Sequence, residues 1–282
     1  MSKKRFDKIY VEITNMCNLN CSFCHKTKRN MLHMLPDEFR NVVEKIKDYT
    51  DLILLHVAGE PLLSPYLEEI LDICEKENMK VNITTNGTLI KEKIDILKNA
   101  KAVGQINISM HSYMENKNKN TDYLKNTIET IKEISKNSDK YISYRLWNLE
   151  DIKENSINTE VLEVLGEEYN FPNLKEKAKT EEYIKLDKMV FLNQDTKFEW
   201  PDIEKKQIKK NGKCYGLRTH VGILGNGDVV PCCMDIEGDI VLGNIHKETL
   251  EEILNKELAK KMITGFQNNK IVHKLCGTCG FM

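Results

Sequence analysis

The sequence lacks three things that would have decided its class at once. A membrane helix needs about 20 consecutive apolar residues, and no stretch of the 282-residue chain approaches that. Net charge is almost absent: 42 Lys and Arg against 43 Asp and Glu leave −1. That balance provides no overall basic face for nucleic acid and no acidic tail. A secretory signal is missing too, because the basic start Met1-Ser2-Lys3-Lys4-Arg5 has no apolar core behind it. The expectation is a soluble, cytoplasmic protein with neither a nucleic-acid nor a membrane partner. In that reducing setting the nine cysteines, an odd number, argue for metal or cluster binding over a disulfide framework.

What is present begins with a motif. Ile13-Thr14-Asn15-Met16-Cys17-Asn18-Leu19-Asn20-Cys21-Ser22-Phe23-Cys24-His25 carries Cys17, Cys21 and Cys24 in a Cys-x3-Cys-x2-Cys pattern. It follows the apolar, strand-like run Lys8 to Thr14. Three thiolates can hold three irons of a cubane cluster and leave the fourth iron open for chemistry. The alternative is zinc, with His25 as a fourth ligand. The spacing, Phe23 just before the last cysteine, and the position after a first strand resemble the radical S-adenosylmethionine (SAM) superfamily.

The chain then alternates strand-like and helix-like segments, which predicts parallel βα units. Pro36-Asp37-Glu38 opens a helix with the face Phe39, Val42, Val43 and Ile46. Leu52 to Val57 reads as a strand buried on both faces. Ser64-Pro65 caps a helix with the face Leu67, Ile70, Leu71 and Cys74, which makes Cys74 a core thiol. Lys80 to Thr85 is a third strand with Ile90 to Leu97 as the helix behind it. Gln105 to Met110 is a fourth strand, followed by a helix carrying Leu124, Ile128 and Ile131. Tyr141 to Trp147 is a fifth strand. Residues 151–180 are polar apart from Val161 to Leu165, and a sixth strand is placed over Ile184 to Leu192. Six units are too few for a closed eight-stranded barrel. The resemblance implies a partial (β/α)6 TIM-like barrel, with ligands at the C-terminal ends of the strands.

Several residues at those ends match the family. Gly59-Glu60-Pro61 after the second strand resembles the Gly-Glu-Pro motif that holds the SAM amino group. Thr85-Asn86-Gly87 after the third looks like the Thr-Asn-Gly segment beside the SAM site. The resemblance implies that Ser109 contacts the ribose or methionine portion. His111 is a candidate substrate ligand or proton carrier. Arg145, a cation in an apolar strand, requires an anion, either the SAM carboxylate or a structural carboxylate.

From Lys213 the character changes. Cys214, the hairpin signal Gly225-Asn226-Gly227-Asp228, and Pro231-Cys232-Cys233 precede a terminal Cys276-Gly277-Thr278-Cys279. Cys214 through Gly227 to Cys232 resembles the opening of a SPASM extension. The remainder is similar to its shortened "twitch" form, which implies an auxiliary [4Fe-4S] cluster on Cys214, Cys232, Cys276 and Cys279. A structural four-cysteine zinc site is the competing account. Cys233 is left over, as a packing residue, an alternative ligand, or a free thiol that serves as a hydrogen donor. The expected domains are a barrel over 1–192, a linker over 193–212, and a twitch/SPASM-like cysteine-rich extension over 213–282.

The resemblance implies reductive cleavage of SAM to a 5′-deoxyadenosyl radical that abstracts hydrogen from substrate. It implies SAM and a [4Fe-4S] cluster bound by three cysteines and SAM as cofactors, and an electron donor such as flavodoxin or ferredoxin. An auxiliary cluster with full cysteine ligation suits a two-electron oxidation, or dehydrogenation. No leader-peptide domain, cobalamin domain or ferredoxin-like insertion is expected. The substrate is a small molecule or a peptide, so a peptide maturase or an epimerase using Cys233 is the alternative. A non-catalytic zinc or iron–sulfur scaffold is the alternative from another class.

Overall fold

The computed structural model describes residues 4–116, 122–136, 138–150, 157–206 and 208–281. Its first strands and helices alternate as β1 (Lys8–Val11), α1 (Pro36–Ile46), β2 (Leu52–Leu54), α2 (Leu67–Lys76) and β3 (Lys80–Thr85). Next come α3 (Ile94–Asn99), β4 (Val103–Ser109), α4 (His111–Asn116), α5 (Tyr123–Lys136) and β5 (Tyr141–Leu149). They are followed by α6 (Thr159–Glu168), α7 (Leu174–Lys177), β6 (Tyr183–Lys185) and β7 (Val190–Thr196). The last part holds β8 (His220–Ile223), β9 (Asp228–Val230), β10 (Gly243–Asn244), α8 (Leu250–Asn255), α9 (Glu257–Gln267) and α10 (Lys274–Gly277). Among the described residues no helix is long and apolar enough to cross a membrane.

The chain forms two compact units, one of residues 1–17, 25–81 and 198–282, the other of residues 18–24 and 82–197. In the first, β1 is central. It pairs parallel with β2 (Ile9 beside Ile53) and parallel with β8 (Tyr10 beside Gly222), and β8 continues antiparallel into β9 and β10. Helix α1 has proline and acids in its first turn and buries Phe39, Val42, Val43 and Ile46. Helix α2 buries Leu67, Ile70, Leu71, Ile73 and Cys74. Burial pushes the Cys74 thiol up to about 12, so it is an inert core residue. A cluster of Tyr10, Leu54, Val57, Leu224, Val230 and Ile236 joins β1, β2 and the β8–β9 hairpin.

In the second unit β4, β5 and β7 are parallel neighbours, and β6 folds back antiparallel on β7. One face of β5 buries Ile142, Tyr144 and Leu146. The alternate residues Tyr141, Ser143, Arg145 and Trp147 lie on the other. The second face thus carries the buried Ser143 and the cation Arg145 between two aromatic rings.

Four expectations needed adjustment. The apolar run to Val57 is a strand only as far as Leu54, since the chain then turns toward Gly59. Ser64 does not cap α2: its hydroxyl accepts the Tyr66 N–H at 3.3 Å, in the turn before the helix. Helix α3 starts at Ile94, although Ile90 is buried as expected. The single strand over Ile184 to Leu192 is a hairpin, because Leu186 N–H turns back to the Val190 carbonyl at 2.9 Å.

Candidate active site

The cysteine loop begins where β1 ends. In the first unit, Thr14 and Asn15 are buried. Asn15 donates to the Asn30 carbonyl at 2.8 Å and accepts the Leu32 N–H at 2.9 Å. This ties the entry of the loop to its exit. Gly59 adopts φ +74°, and a Cβ there would lie 2.5 Å from Thr14 O and 2.8 Å from Met16 O. The next residue seals the contact, with Glu60 N–H donating to Met16 O at 2.8 Å. Only glycine allows both the conformation and this approach. The buried Glu60 carboxylate accepts the Leu62 N–H at 3.0 Å, which fixes the turn through Pro61.

Sequence reading missed the group beneath this arrangement. Glu12 is 0% exposed and pairs with Arg29 at 2.7 Å. Its other contacts are Gly225 N–H at 3.0 Å and Ala58 N–H at 3.3 Å. Arg29 also donates to the Ile236 carbonyl at 2.7 Å. One buried ion pair therefore joins β1, the far arm of the cysteine loop, the Gly59 turn and the β8–β9 hairpin. The signal was available: Glu12 is a charge in an otherwise apolar run, as Arg145 is in β5.

The second unit holds Asn18 to Cys24. Asn86 donates to Asn18 Oδ1 at 2.9 Å and accepts from the Thr88 hydroxyl at 2.7 Å, while Asn18 donates to Thr88 at 2.8 Å. The Thr85-Asn86-Gly87 turn thereby holds the residue that follows Cys17. Gly87 has φ +80°, and a Cβ would sit 2.9 Å from the Tyr123 hydroxyl. Phe23 meets the His111 ring edge-on at 4.8 Å. His111 is buried, with Nδ1 3.1 Å from the Arg145 carbonyl and 3.4 Å from the Trp147 N–H. Ser109 at the end of β4, Arg145 in β5 and Asn193 in β7 lie side by side in register. The Arg145 guanidinium stacks over Trp147 at 4.4 Å, and the Trp147 indole donates to Asn193 at 2.6 Å. Cys21 is buried while Cys17 and Cys24 are exposed.

The C-terminal cysteines come together in the first unit. Cys214, Cys232, Cys276 and Cys279 line one cavity, whose other walls include Pro231, Met234, Ile240 and Leu275. Gly216 N–H donates to Cys214 Sγ at 3.3 Å, and a Cβ on Gly216 would meet that sulfur at 3.4 Å. Burial drives the Cys232 thiol well up and the Cys276 thiol up to about 12, so the apolar cavity favours neutral thiols until a metal replaces the protons. Four soft donors, one with an N–H···S bond, in walls that are apolar apart from the buried Asp235, fit an iron–sulfur cluster. Among the described residues no three His, Cys, Asp or Glu side chains gather as a single metal ion requires. Cys233 stands apart from the cavity lining. It packs on the Tyr10 cluster, its thiol pushed up to about 11 by burial against an opposing hydrogen bond from Tyr10.

Comparison with known proteins identifies the family. The family model described as the radical SAM superfamily matches residues 11–176. The chain belongs to the radical SAM superfamily. A second model, an iron–sulfur cluster-binding domain of the SPASM type, matches residues 214–280. These matches imply SAM and [4Fe-4S] clusters as cofactors. The chain is 35% identical over 104 residues to a probable GTP 3′,8-cyclase of Methanococcus maripaludis, covering 36% of this chain and 35% of that protein. It is 33% identical over 117 residues to the GTP 3′,8-cyclase of Aquifex aeolicus, covering 38% and 36%. The match thus spans about a third of the length of these curated relatives. Among solved structures, BtrN in complex with AdoMet and 2-DOIA aligns with a TM-score of 0.56 at 18% identity, over 98% of this chain and 93% of that one. Streptococcus suis SuiB bound to precursor peptide SuiA gives 0.60 at 18%, over 98% and 70%. The radical SAM chain also aligns with anSMEcpe with bound AdoMet at 0.61 and 15%, over 96% and 82%.

Proposed function

We propose that this radical SAM enzyme is an oxidoreductase that removes two electrons from its substrate. The carrying observation is the single cavity lined by Cys214, Cys232, Cys276 and Cys279. Four protein thiolates leave no iron open to a substrate, so a cluster held there suits electron transfer. When bound, SAM and the first cluster supply a 5′-deoxyadenosyl radical that takes hydrogen from substrate.

The chain's own residues position that chemistry. Cys17, Cys21 and Cys24 are read as ligands of the first cluster, with Phe23 against His111 fixing their loop. Gly59, Glu60 and Pro61 would hold the SAM ammonium through backbone carbonyls and the Glu60 carboxylate. Thr85, Asn86 and Ser109 would hold the ribose and methionine portions of SAM, and Arg145 would pair with its carboxylate. Because the His111 ring bonds the β5 backbone, we read it as orienting Arg145 and Trp147. The parallel run of strands is read as a partial (β/α)6 barrel over 1–192, with 193–212 as linker and 213–282 as the extension. A flavodoxin or ferredoxin in the cytoplasm is the proposed electron donor.

The peptide reading has support in the likeness to SuiB bound to its precursor peptide. If that reaction is a redox-neutral epimerisation, Cys233 returns the hydrogen atom. The test is anaerobic turnover with dithionite, measuring 5′-deoxyadenosine and product together. Cys21→Ala abolishes 5′-deoxyadenosine if the first cluster is assigned correctly, and undiminished nucleoside overturns it. In the oxidative reading Cys233→Ala still yields a dehydrogenated product, whereas solvent deuterium in product identifies the epimerase.

A further inference from the structure

The segment from Cys232 to Ile240, in the first unit, has two sides. On one, Cys232, Met234, Asp235 and Ile240 line the four-cysteine cavity. The Asp235 carboxylate braces the segment from within, accepting the Asp239 N–H at 2.8 Å and the Ile240 N–H at 2.9 Å. Gly238 N–H donates to the Asp235 carbonyl at 3.3 Å. Gly238 itself has φ +72°, and a Cβ there would lie 3.1 Å from the Leu224 side chain. A turn tied at so many points moves as one piece.

The other side grips the arm that returns from the first cysteine loop. Both Glu237 carboxylate oxygens accept the Lys28 N–H, each at 3.1 Å. One of them also lies 3.0 Å from His25 Nε2, and the His25 ring stands 6.1 Å from that of Trp200. Beside them the Arg29 guanidinium donates to the Ile236 carbonyl at 2.7 Å. A carboxylate on a backbone N–H is a charge-assisted bond, stronger than a neutral one. Residues 25–31 lie in no helix or strand, so anchors of this kind decide where the arm sits. His25 directly follows Cys24 in the chain.

We propose that Glu237 is a positioning residue that couples the two cysteine sites. A group bound by Cys214, Cys232, Cys276 and Cys279 fixes Cys232 and the braced segment behind it. The segment then keeps Glu237 on the Lys28 N–H and holds the arm that follows Cys24. The inference rests on the reading of those four cysteines as cluster ligands. Two states are defined by one bond: closed, with the Lys28 N–H on Glu237, and open, with that N–H facing water. Loading the four-cysteine site favours the closed state, and by reciprocity a ligand that favours closure at one site is favoured at the other.

The test uses the full chain carrying Cys17→Ala, Cys21→Ala and Cys24→Ala, in which only the four-cysteine site can be loaded. Amide hydrogen exchange over residues 25–29 is followed by mass spectrometry, before and after anaerobic reconstitution with iron and sulfide. Loading should slow that exchange roughly tenfold. Adding Glu237→Ala should abolish the slowing at unchanged iron content, and Glu237→Gln, which keeps an acceptor for the Lys28 N–H, should restore part of it. Equal exchange with and without bound iron overturns the proposal, as does slowing that survives Glu237→Ala. If the triple variant takes up no iron, the cluster reading fails and the coupling falls with it, whereas equal exchange with iron bound removes the coupling alone. In the reconstituted chain with all its cysteines, Glu237→Ala should weaken SAM binding roughly tenfold with about eight irons retained. An unchanged SAM dissociation constant there also overturns the proposal.

Discussion

At the residue scale, Glu12 and Arg29 set the frame on which the cysteine loop rests. A buried pair adds little net stability, but removing one partner strands a charge and costs about 3–5 kcal/mol. Arg29→Ala should therefore lower unfolding free energy by about that amount in a urea titration, and a loss under about 1 kcal/mol would deny Glu12 its role. Gly59 presents a backbone constraint: its φ of +74° and a 2.5 Å approach to Thr14 O leave no room for a methyl group. Arg145 is a question of binding. Losing a charge-assisted hydrogen bond costs about 1.5–3 kcal/mol, so Arg145→Ala should weaken SAM affinity by that much with iron content intact. An unchanged dissociation constant returns Arg145 to a structural role against Trp147. His220 lies against Tyr10, and burial followed by the Lys8 charge lowers its pKa from 6.5 to about 4. The unfolded chain then takes up the proton first, so this stability is present above pH 6.5 and is lost as pH falls toward about 4. His220→Gln should flatten the decline of melting temperature across that window, and an unaltered slope would contradict it.

At the element scale, helices with one apolar stripe were legible. The residues named for α1 and α2 are buried, and β3 has its expected bounds. Burial on one face fixes such elements through their own periodicity. Legibility failed where tertiary partners decide. Helix α6 lies within residues that read as polar apart from Val161 to Leu165, and that short patch, with Gly166, is all of it that reaches the core. The hairpin of β6 and β7 reads as one strand only if the charged pair Asp187-Lys188, which interrupts the apolar run and forms the turn, is passed over. Its turn is made by backbone bonds from Leu186 and Asp187 to Val190. The cysteine motifs and the Gly59 turn were legible because their chemistry demands particular residues. The pairing of Glu12 with Arg29 and the Asn18–Asn86–Thr88 network were not, because the partners are remote in sequence, although Glu12 itself stood out as a charge in an apolar run.

At the scale of the whole molecule, the C-terminal extension contributes β8 directly beside β1. The four-cysteine cavity is thus built on the same sheet from which the first cysteine loop emerges. The two proposed ligand sets, three thiolates and four, give the central claim its simplest measurement. Iron and acid-labile sulfide per chain should be determined after anaerobic reconstitution of wild type and of the combined Cys17→Ala, Cys21→Ala and Cys24→Ala variant. Two cubanes predict about eight irons in wild type, and about four should remain in the variant on Cys214, Cys232, Cys276 and Cys279. About four irons in wild type and none in the variant, with one zinc per chain in both, would contradict the account.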